Sequence, residues 1–353
     1  MISSPNNYSL GIISPMSGLD RASIPTPAEF LVSAFRQDGY LVHAASFSKS
    51  KLGRITETLG MILAHHRKID VLLLSVYVGQ SFILEDLVSC LAQYFRIPTV
   101  MVLHNGLTPA FVSLFPGWTS RVFRRAVALV APSPFLPRAL KPYGWPVRII
   151  PNPVDISAYP FRLRQQAAPS LLWMRSFYPY YNPHMALRVL RRLVAAYPQA
   201  SLAMAGKDKG LQAELIETVA QWGIQAQVRF PGFLNGDAKI RTFQQTDIFI
   251  NTNSVDNTPV SVVEAWAMGL PVISTNVGGI ADLVEDGETG LLVRDDDDTA
   301  MAEAIQRLMQ EPALAEKLSC QGRAQAEKFS WQAVRPQWQA LFDEITSTHK
   351  GRP

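Results

Sequence analysis

A chain of 353 residues, 48% hydrophobic and 18% charged, is long enough for two cores and too apolar for disorder. Its two cysteines, Cys90 and Cys320, lie far apart, which argues against both a disulfide framework and a zinc site. The net charge of +4 conceals an asymmetry, because residues 1–165 hold 16 Lys and Arg against 8 Asp and Glu, and residues 166–353 hold 17 against 21.

The opening MISSPNNYS lacks the basic flank and apolar run of a signal peptide, and no apolar stretch approaches the length of a membrane span. The expected location is the cytoplasm, with peripheral contact at the inner face of the membrane left open. Part of the basic excess gathers at Arg121, Arg124, Arg125, Arg138, Lys141 and Arg148. Such a cluster suits an anionic membrane or an anionic acceptor. Plain solvation of helix faces is the alternative. Nucleic acid is not an expected partner.

Short apolar runs alternate with helical segments throughout. The first half predicts strands at Leu10–Ser14, Leu41–Phe47, Val71–Val76, Thr99–Leu103, Val127–Ala131 and Val147–Ile150, with helices around 27–38, 52–67, 80–95, 118–125 and 134–142. A polar, irregular stretch follows Pro151 and runs to about Pro169. Strands then resume at Leu171–Met174, Leu202–Ala205, Val228–Phe230, Ile248–Asn251, Val272–Ser274 and Leu291–Val293. Strands alternating with helices predict parallel sheets covered on both faces. The fold class is therefore α/β, with two doubly wound Rossmann-like domains at 1–155 and 166–330. Ligands of such sheets bind beyond the carboxyl ends of the strands, so two of them should face each other across an interdomain cleft.

Several candidate residues stand at those strand ends. Ser14 to Asp20, with Gly18, is a small-residue loop whose backbone N–H groups can approach a phosphate; a simple strand-to-helix turn is the alternative. His104-Asn105-Gly106 follows a central strand. Arg175 ends the first strand of the second domain, and a guanidinium binds phosphate through paired donors. Asn182-Pro183 reads as a helix N-cap and first helical residue.

Residues 251–279 carry the most information. They read as a polar loop with Asp256, a helix start over Thr258-Pro259-Val260-Ser261, a helix with Glu264, and a strand that stops at Gly278-Gly279. A helix N-terminus offers unpaired N–H groups and a positive dipole end to a phosphate. A carboxylate accepts hydrogen bonds from sugar hydroxyls. The neighbours of Glu264 are apolar nearly all round, so the carboxylate should be buried, which requires a ligand or a fixed donor.

Asp256 and Glu264, eight positions apart, resemble the E-x7-E signature of the family 4 retaining glycosyltransferases, the glycosyl transferases group 1 of GT-B fold. Asp256 stands where that signature has its first Glu. The resemblance is specific over about 145–342. It extends to the interdomain segment Ile149–Asp155, where Pro153 replaces the usual Gly, to Val228–Phe233, and to the turn Asp286–Val293. It implies a terminal helix, about 331–348, that packs back on an acceptor-binding N-terminal domain.

The resemblance also implies roles. His104 would approach the donor sugar, and Asp256 would bind its hydroxyls. Arg175 would hold the diphosphate with the N–H groups of Thr258, Val260 and Ser261, on either side of Pro259. Glu264 would bind the ribose, and the backbone at Phe233 would lie near the nucleobase. The family Lys that follows the Arg has no counterpart, since Asn182 stands there; Lys207 or Lys209 is the substitute. The implied reaction is metal-independent transfer from a nucleotide sugar, a UDP-sugar, to a glycan, lipid-linked or small-molecule acceptor. An inactive sugar-nucleotide-binding protein, and an inverting transferase or epimerase with Asp20 as base, are the alternatives. The acidic run Asp295–Asp298 reads as a helix cap, not a metal site.

Overall fold

The computed structural model describes residues 8–15, 27–46, 48 and 50–349. It divides into two compact units, one of residues 1–153 with 331–353 and one of residues 154–330.

The first unit runs β1 (Ser9–Ile13), α1 (Pro27–Gln37), β2 (Leu41–Ala45), α2 (Lys51–His65), β3 (Val71–Val76), α3 (Phe82–Tyr94), β4 (Thr99–Leu103), α4 (Thr108–Leu114), α5 (Pro116–Phe123), β5 (Ala128–Ala131), α6 (Phe135–Leu140) and β6 (Val147–Ile149). Its six strands pair in parallel in the order β2-β1-β3-β4-β5-β6. The central strands are apolar at nearly every position because both faces are covered. One face packs against Ile62 of α2, Phe82 and Val88 of α3, Val122 of α5 and Leu136 of α6.

The second unit runs β7 (Ser170–Met174), α7 (Pro183–Ala196), β8 (Ser201–Ala205), α8 (Gln212–Gln221), β9 (Val228–Gly232), α9 (Gly236–Gln244), β10 (Ile248–Asn251), α10 (Val260–Ala267), β11 (Val272–Thr275), α11 (Ile280–Leu283), β12 (Leu291–Val293), α12 (Asp298–Gln310) and α13 (Pro312–Glu327). Its parallel sheet has the order β12-β11-β10-β7-β8-β9. The strand order reverses between β7 and β10, and in such sheets the crevice beyond the carboxyl ends at the reversal is the ligand site.

The expected strands are present in place, some shifted by a residue or two at their ends. The helix α4 was not predicted. It begins where Thr108 Oγ1 donates to Asn105 O at 2.6 Å and Pro109 follows at the second position. The irregular stretch after Pro153 belongs to the second unit, where Tyr159 and Arg164 are buried. Arg164 donates to the carbonyl oxygens of Arg162 (2.7 Å), Phe243 (2.9 Å), Thr246 (3.0 Å) and Met268, so its buried charge is surrounded by acceptors. Arg188 and Arg192 pair with Asp298, and Asp297 caps α12 by accepting from Ala300 N at 2.8 Å. The acidic run is thus a cap and a set of ion pairs. No helix among the described residues is long and apolar enough to cross a membrane.

The last helix, α14 (Trp331–His349), returns to the first unit. With α1 it covers the second face of that sheet, where Trp338 and Phe342 meet Phe35 at ring-centroid distances of 6.2 and 5.6 Å. Trp331 Nε1 donates to Asp38 at 3.0 Å. Trp338 is fully buried, so Trp338→Ala should destabilise the first unit by about 3–5 kcal/mol. Chemical denaturation measures this; a near-neutral variant would mean that α14 is not part of that core.

Candidate functional site

The reversal point of the second sheet gathers most of the candidate residues of that unit. Arg175 directly follows β7, and its backbone N–H donates to Ala205 O at 3.0 Å. Gly206 is required beside it, because a Cβ there would stand 1.8 Å from Arg175 O. The loop from β10 carries Asn253 and Asp256 to the same place. Arg175 Nη2 donates to Asp256 Oδ2, which also accepts from Asn253 Nδ2 at 2.6 Å, while Oδ1 accepts from Asn257 N at 2.8 Å. The two paired side chains are only 15% and 12% exposed. The guanidinium of Arg175 also lies over the Tyr181 ring, 4.0 Å from its centroid.

The loop is held by close backbone packing. Gly279 N donates to Asp256 O at 3.0 Å. Gly278 has φ +54°, and a Cβ on it would come within 2.2 Å of the same oxygen, so the left-handed conformation and the space both demand glycine. Trp173 Nε1 donates to Thr252 Oγ1 at 2.9 Å and ties the end of β7 to the end of β10.

Pro259 precedes α10 without a side-chain cap, and Thr258, Ser261 and Glu264 are buried. The hydroxyls of Thr258 and Ser261, the Oδ1 of Asn253 and the Nε of Arg175 are buried without hydrogen-bond partners. Buried polar atoms are ordinarily paired. Several orphans around one uncapped helix start and one guanidinium make a cradle for a polar, anionic ligand.

Glu264 is 6% exposed. Its Oε1 accepts from Tyr159 Oη at 2.7 Å and from Lys239 Nζ at 2.5 Å. Burial and the adjacent carboxylate push the Tyr159 phenol up, so it remains a donor at neutral pH. Neither partner was among the candidates. The expectation of a fixed donor for a buried carboxylate was the available signal, but the donors lie 105 and 25 positions away.

The other candidates fall at greater remove. Lys207 stands over the exposed Phe233 ring, 4.6 Å from its centroid, and Lys209 lies 5.9 Å from the centroid of Tyr178. Asn182 is at φ +46° and caps α7 by accepting from Met185 N at 3.2 Å, while its Nδ2 donates to Asp296 at 2.8 Å. It is a structural residue. Gly18, and Asp20 with it, lies outside the described residues.

His104 belongs to the first unit, at the carboxyl end of β4. Its Nε2 is 3.1 Å from Ser75 Oγ, and its ring stacks on Tyr77 at 5.7 Å between centroids. Desolvation pushes its pKa down to about 4, so the ring is neutral at physiological pH. Glu85 of α3 accepts from Tyr77 N at 3.2 Å, and its Oε2 is buried without a partner. The cations of the basic cluster divide: Arg121 and Arg125 pair with Asp86 of α3, whereas Arg148 pairs with Glu344 of α14, on the opposite side of the sheet.

Residues 160–325 match the model of the family described as glycosyl transferases group 1. Over those residues the chain is similar to a group 1 glycosyltransferase domain. Over 160 residues it is 31% identical to the D-inositol 3-phosphate glycosyltransferase of Rhodococcus jostii, a match covering 44% of this chain and 35% of that protein. The glycogen synthase of Mycobacterium tuberculosis is 25% identical over 264 residues, 69% of this chain and 62% of the relative. The chain therefore spans from about a third to under two thirds of the length of these curated relatives. Among solved structures, sucrose-phosphate synthase from Thermosynechococcus elongatus superposes with a TM-score of 0.76 at 18% identity, covering 97% of this chain and 100% of the other. Anabaena HepE in complex with UDP-glucose gives 0.73 at 18% identity over 96% and 99% of the two chains. At that identity the likeness is one of fold, the GT-B architecture of two Rossmann-like units. The residues that match the family contain the reversal point with Arg175, Asp256 and Glu264.

Burial pushes the Glu85 carboxyl up to about 8 from its ordinary 4.5. A raised folded-state pKa contributes stability that is complete below the unfolded value and is lost as pH rises through the folded one. Glu85→Gln should therefore gain stability relative to the parent as pH rises from 4.5 to about 8. His104, held low, contributes with the opposite sign, and cancels in the comparison of variant with parent. Denaturant titrations across that window check this; a constant difference between the two would refute it.

Proposed function

We propose that this protein is a retaining, metal-independent glycosyltransferase that moves a sugar from a UDP-sugar to a glycan, lipid-linked or small-molecule acceptor. The observation that carries the reading is the cradle at the β7/β10 reversal: an uncapped helix start, a guanidinium, and buried polar atoms without partners around them. UDP and UDP-glucose are bound by the solved HepE, which supports the choice of donor class.

In the proposed reaction the bond from the anomeric carbon to the diphosphate breaks and a bond to the acceptor hydroxyl forms on the same face, the hydroxyl proton passing to the departing phosphate oxygen. The charge that grows on the diphosphate is met by Arg175 and by the N–H groups at Thr258–Ser261, donors already oriented before reaction. Arg175 is neutralised by Asp256 in the structure. A diphosphate would compete for that guanidinium and free the carboxylate to accept from hydroxyls of the donor sugar. Both bonds to Glu264 end on Oε1, and Oε2 is assigned to the ribose hydroxyls. Lys207 and Lys209 are the further cations. His104, neutral and stacked on Tyr77, is assigned to the donor sugar.

A reading as a sugar-nucleotide-binding protein without transfer is favoured by one observation: Asn182, where the family places a Lys, is a helix cap. Assays separate the two. Ligand present at a hundredfold excess over its Kd raises stability by about 2.7 kcal/mol, so UDP should shift the thermal midpoint and GDP and ADP should shift it less. Glu264→Gln should weaken UDP binding about tenfold. Loss of Arg175 should lower turnover about a hundredfold, while Asp256→Asn should lower turnover more than binding. UDP binding with no sugar transfer to any acceptor class would establish the second reading, and no UDP binding would defeat both. Transfer should persist in a chelator; its abolition would refute the metal-independent mechanism.

A further inference from the structure

The outer surface of the first unit carries an apolar stripe that no function above uses. On α3 the exposed positions are Ile83, Leu87, Cys90, Gln93 and Tyr94, and all but Gln93 are spaced at i, i+4, i+7 and i+11, on one line along the helix. Ile83, Leu87 and Tyr94 are 55%, 47% and 78% exposed, while Phe82, Val88 and Ala92 on the opposite side enter the core. On the same side of the sheet, α2 exposes Leu52 and Leu63, and the α4–α5 junction exposes Leu114 and Phe115.

The charges around this stripe are predominantly positive. Beside it, Gln93 of α3 and Gly117, Ser120, Arg121, Arg124 and Arg125 at α5 line an open depression of about 580 Å³. Arg67 and Lys68 after α2, and Arg96 after α3, are exposed as well. The acidic residues of α2, α3 and α5 are Glu57, Glu85 and Asp86. Glu57 accepts from the backbone of Ser46 and Ser48, Glu85 is buried, and Asp86 is held between Arg121 and Arg125. Only Asp86 is charge-compensated by arginines; Glu57 and the exposed Asp70 beside Lys68 are held by backbone donors, Asp70 by Ser9 N at 2.8 Å.

We propose that this face docks on an anionic lipid bilayer, with the α3 stripe entering the interface and the α5 arginines taking lipid phosphates in the depression. Apolar side chains beside a cluster of arginines match acyl boundary and headgroups together. A second copy of this chain fits less well, because a two-fold contact would set the same arginines against each other.

The proposal does not depend on donor binding, and its test needs no activity. The full chain is floated with vesicles of phosphatidylcholine alone and of phosphatidylcholine mixed with phosphatidylglycerol, at low and high salt. The expected result is preference for the anionic vesicles by about tenfold or more, weakened by salt. Arg124→Glu should reduce partition about fivefold or more, and Leu87→Ser about tenfold, with both variants melting like the parent. A second apolar variant, Tyr94→Ser, serves if Leu87→Ser melts early. Equal partition to both vesicles, no partition, or folded variants that bind like the parent would overturn the proposal. So would a concentration-dependent dimer that Leu87→Ser disperses, since it would assign the stripe to a second copy.

Discussion

A carboxylate inside an apolar helix sets the terms for the second unit. Glu264 lies on α10 among Val262, Val263, Ala265 and Trp266, all buried. An ionised carboxylate there is tolerable only with strong donors at hand, because desolvating an unpaired charge costs several kcal/mol. Lys239 from α9 and Tyr159 from the segment after Pro153 supply them. One residue thereby joins three stretches of chain, and the irregular stretch before β7 becomes part of the second unit's interior. Arg164, a few residues on, fills the same role in reverse, a buried cation surrounded by carbonyl oxygens.

Around that anchor, topology decides where chemistry can occur. Adjacent strands β7 and β10 send their following loops in opposite directions, and the crevice between them receives Arg175 from one and Asp256 from the other. The two residues pair in the structure through Arg175 Nη2, with Arg175 Nε left unpartnered. That ion pair holds both side chains in the crevice, and in the proposed reaction it is the interaction that a diphosphate displaces. The start of α10 stays uncapped beside it.

The first unit repeats the architecture with different contents. The ends of its strands β3 and β4 bring together Ser75, Tyr77 and His104, with Glu85 beneath Tyr77. These groups are neutral at physiological pH, His104 because its pKa is low and Glu85 because its pKa is high. This end of the sheet offers hydrogen bonds from largely uncharged groups, in contrast to the guanidinium–carboxylate pair of the second unit.

The sequence by itself determined the alternation of strands and helices, the parallel character of both sheets, and the helix with its embedded Glu264. Apolar runs of strand length and Gly or Pro stops such as Gly269-Leu270-Pro271 are local signals, readable wherever they stand. It also placed Arg175 and Asp256 at strand ends, because position relative to a strand is again local. Only the tertiary structure decided that these two residues pair, that Lys239 and Tyr159 hold Glu264, and that Asn182, legible as a cap in the sequence, also bonds Asp296. It also divided the basic cluster, sending Arg121 and Arg125 to α3 and Arg148 to α14. The physical reason is common to all four. Which donor meets a buried carboxylate, and which face a cation occupies, depends on strand order and helix packing across tens to hundreds of residues, and residue spacing along the chain carries no record of either.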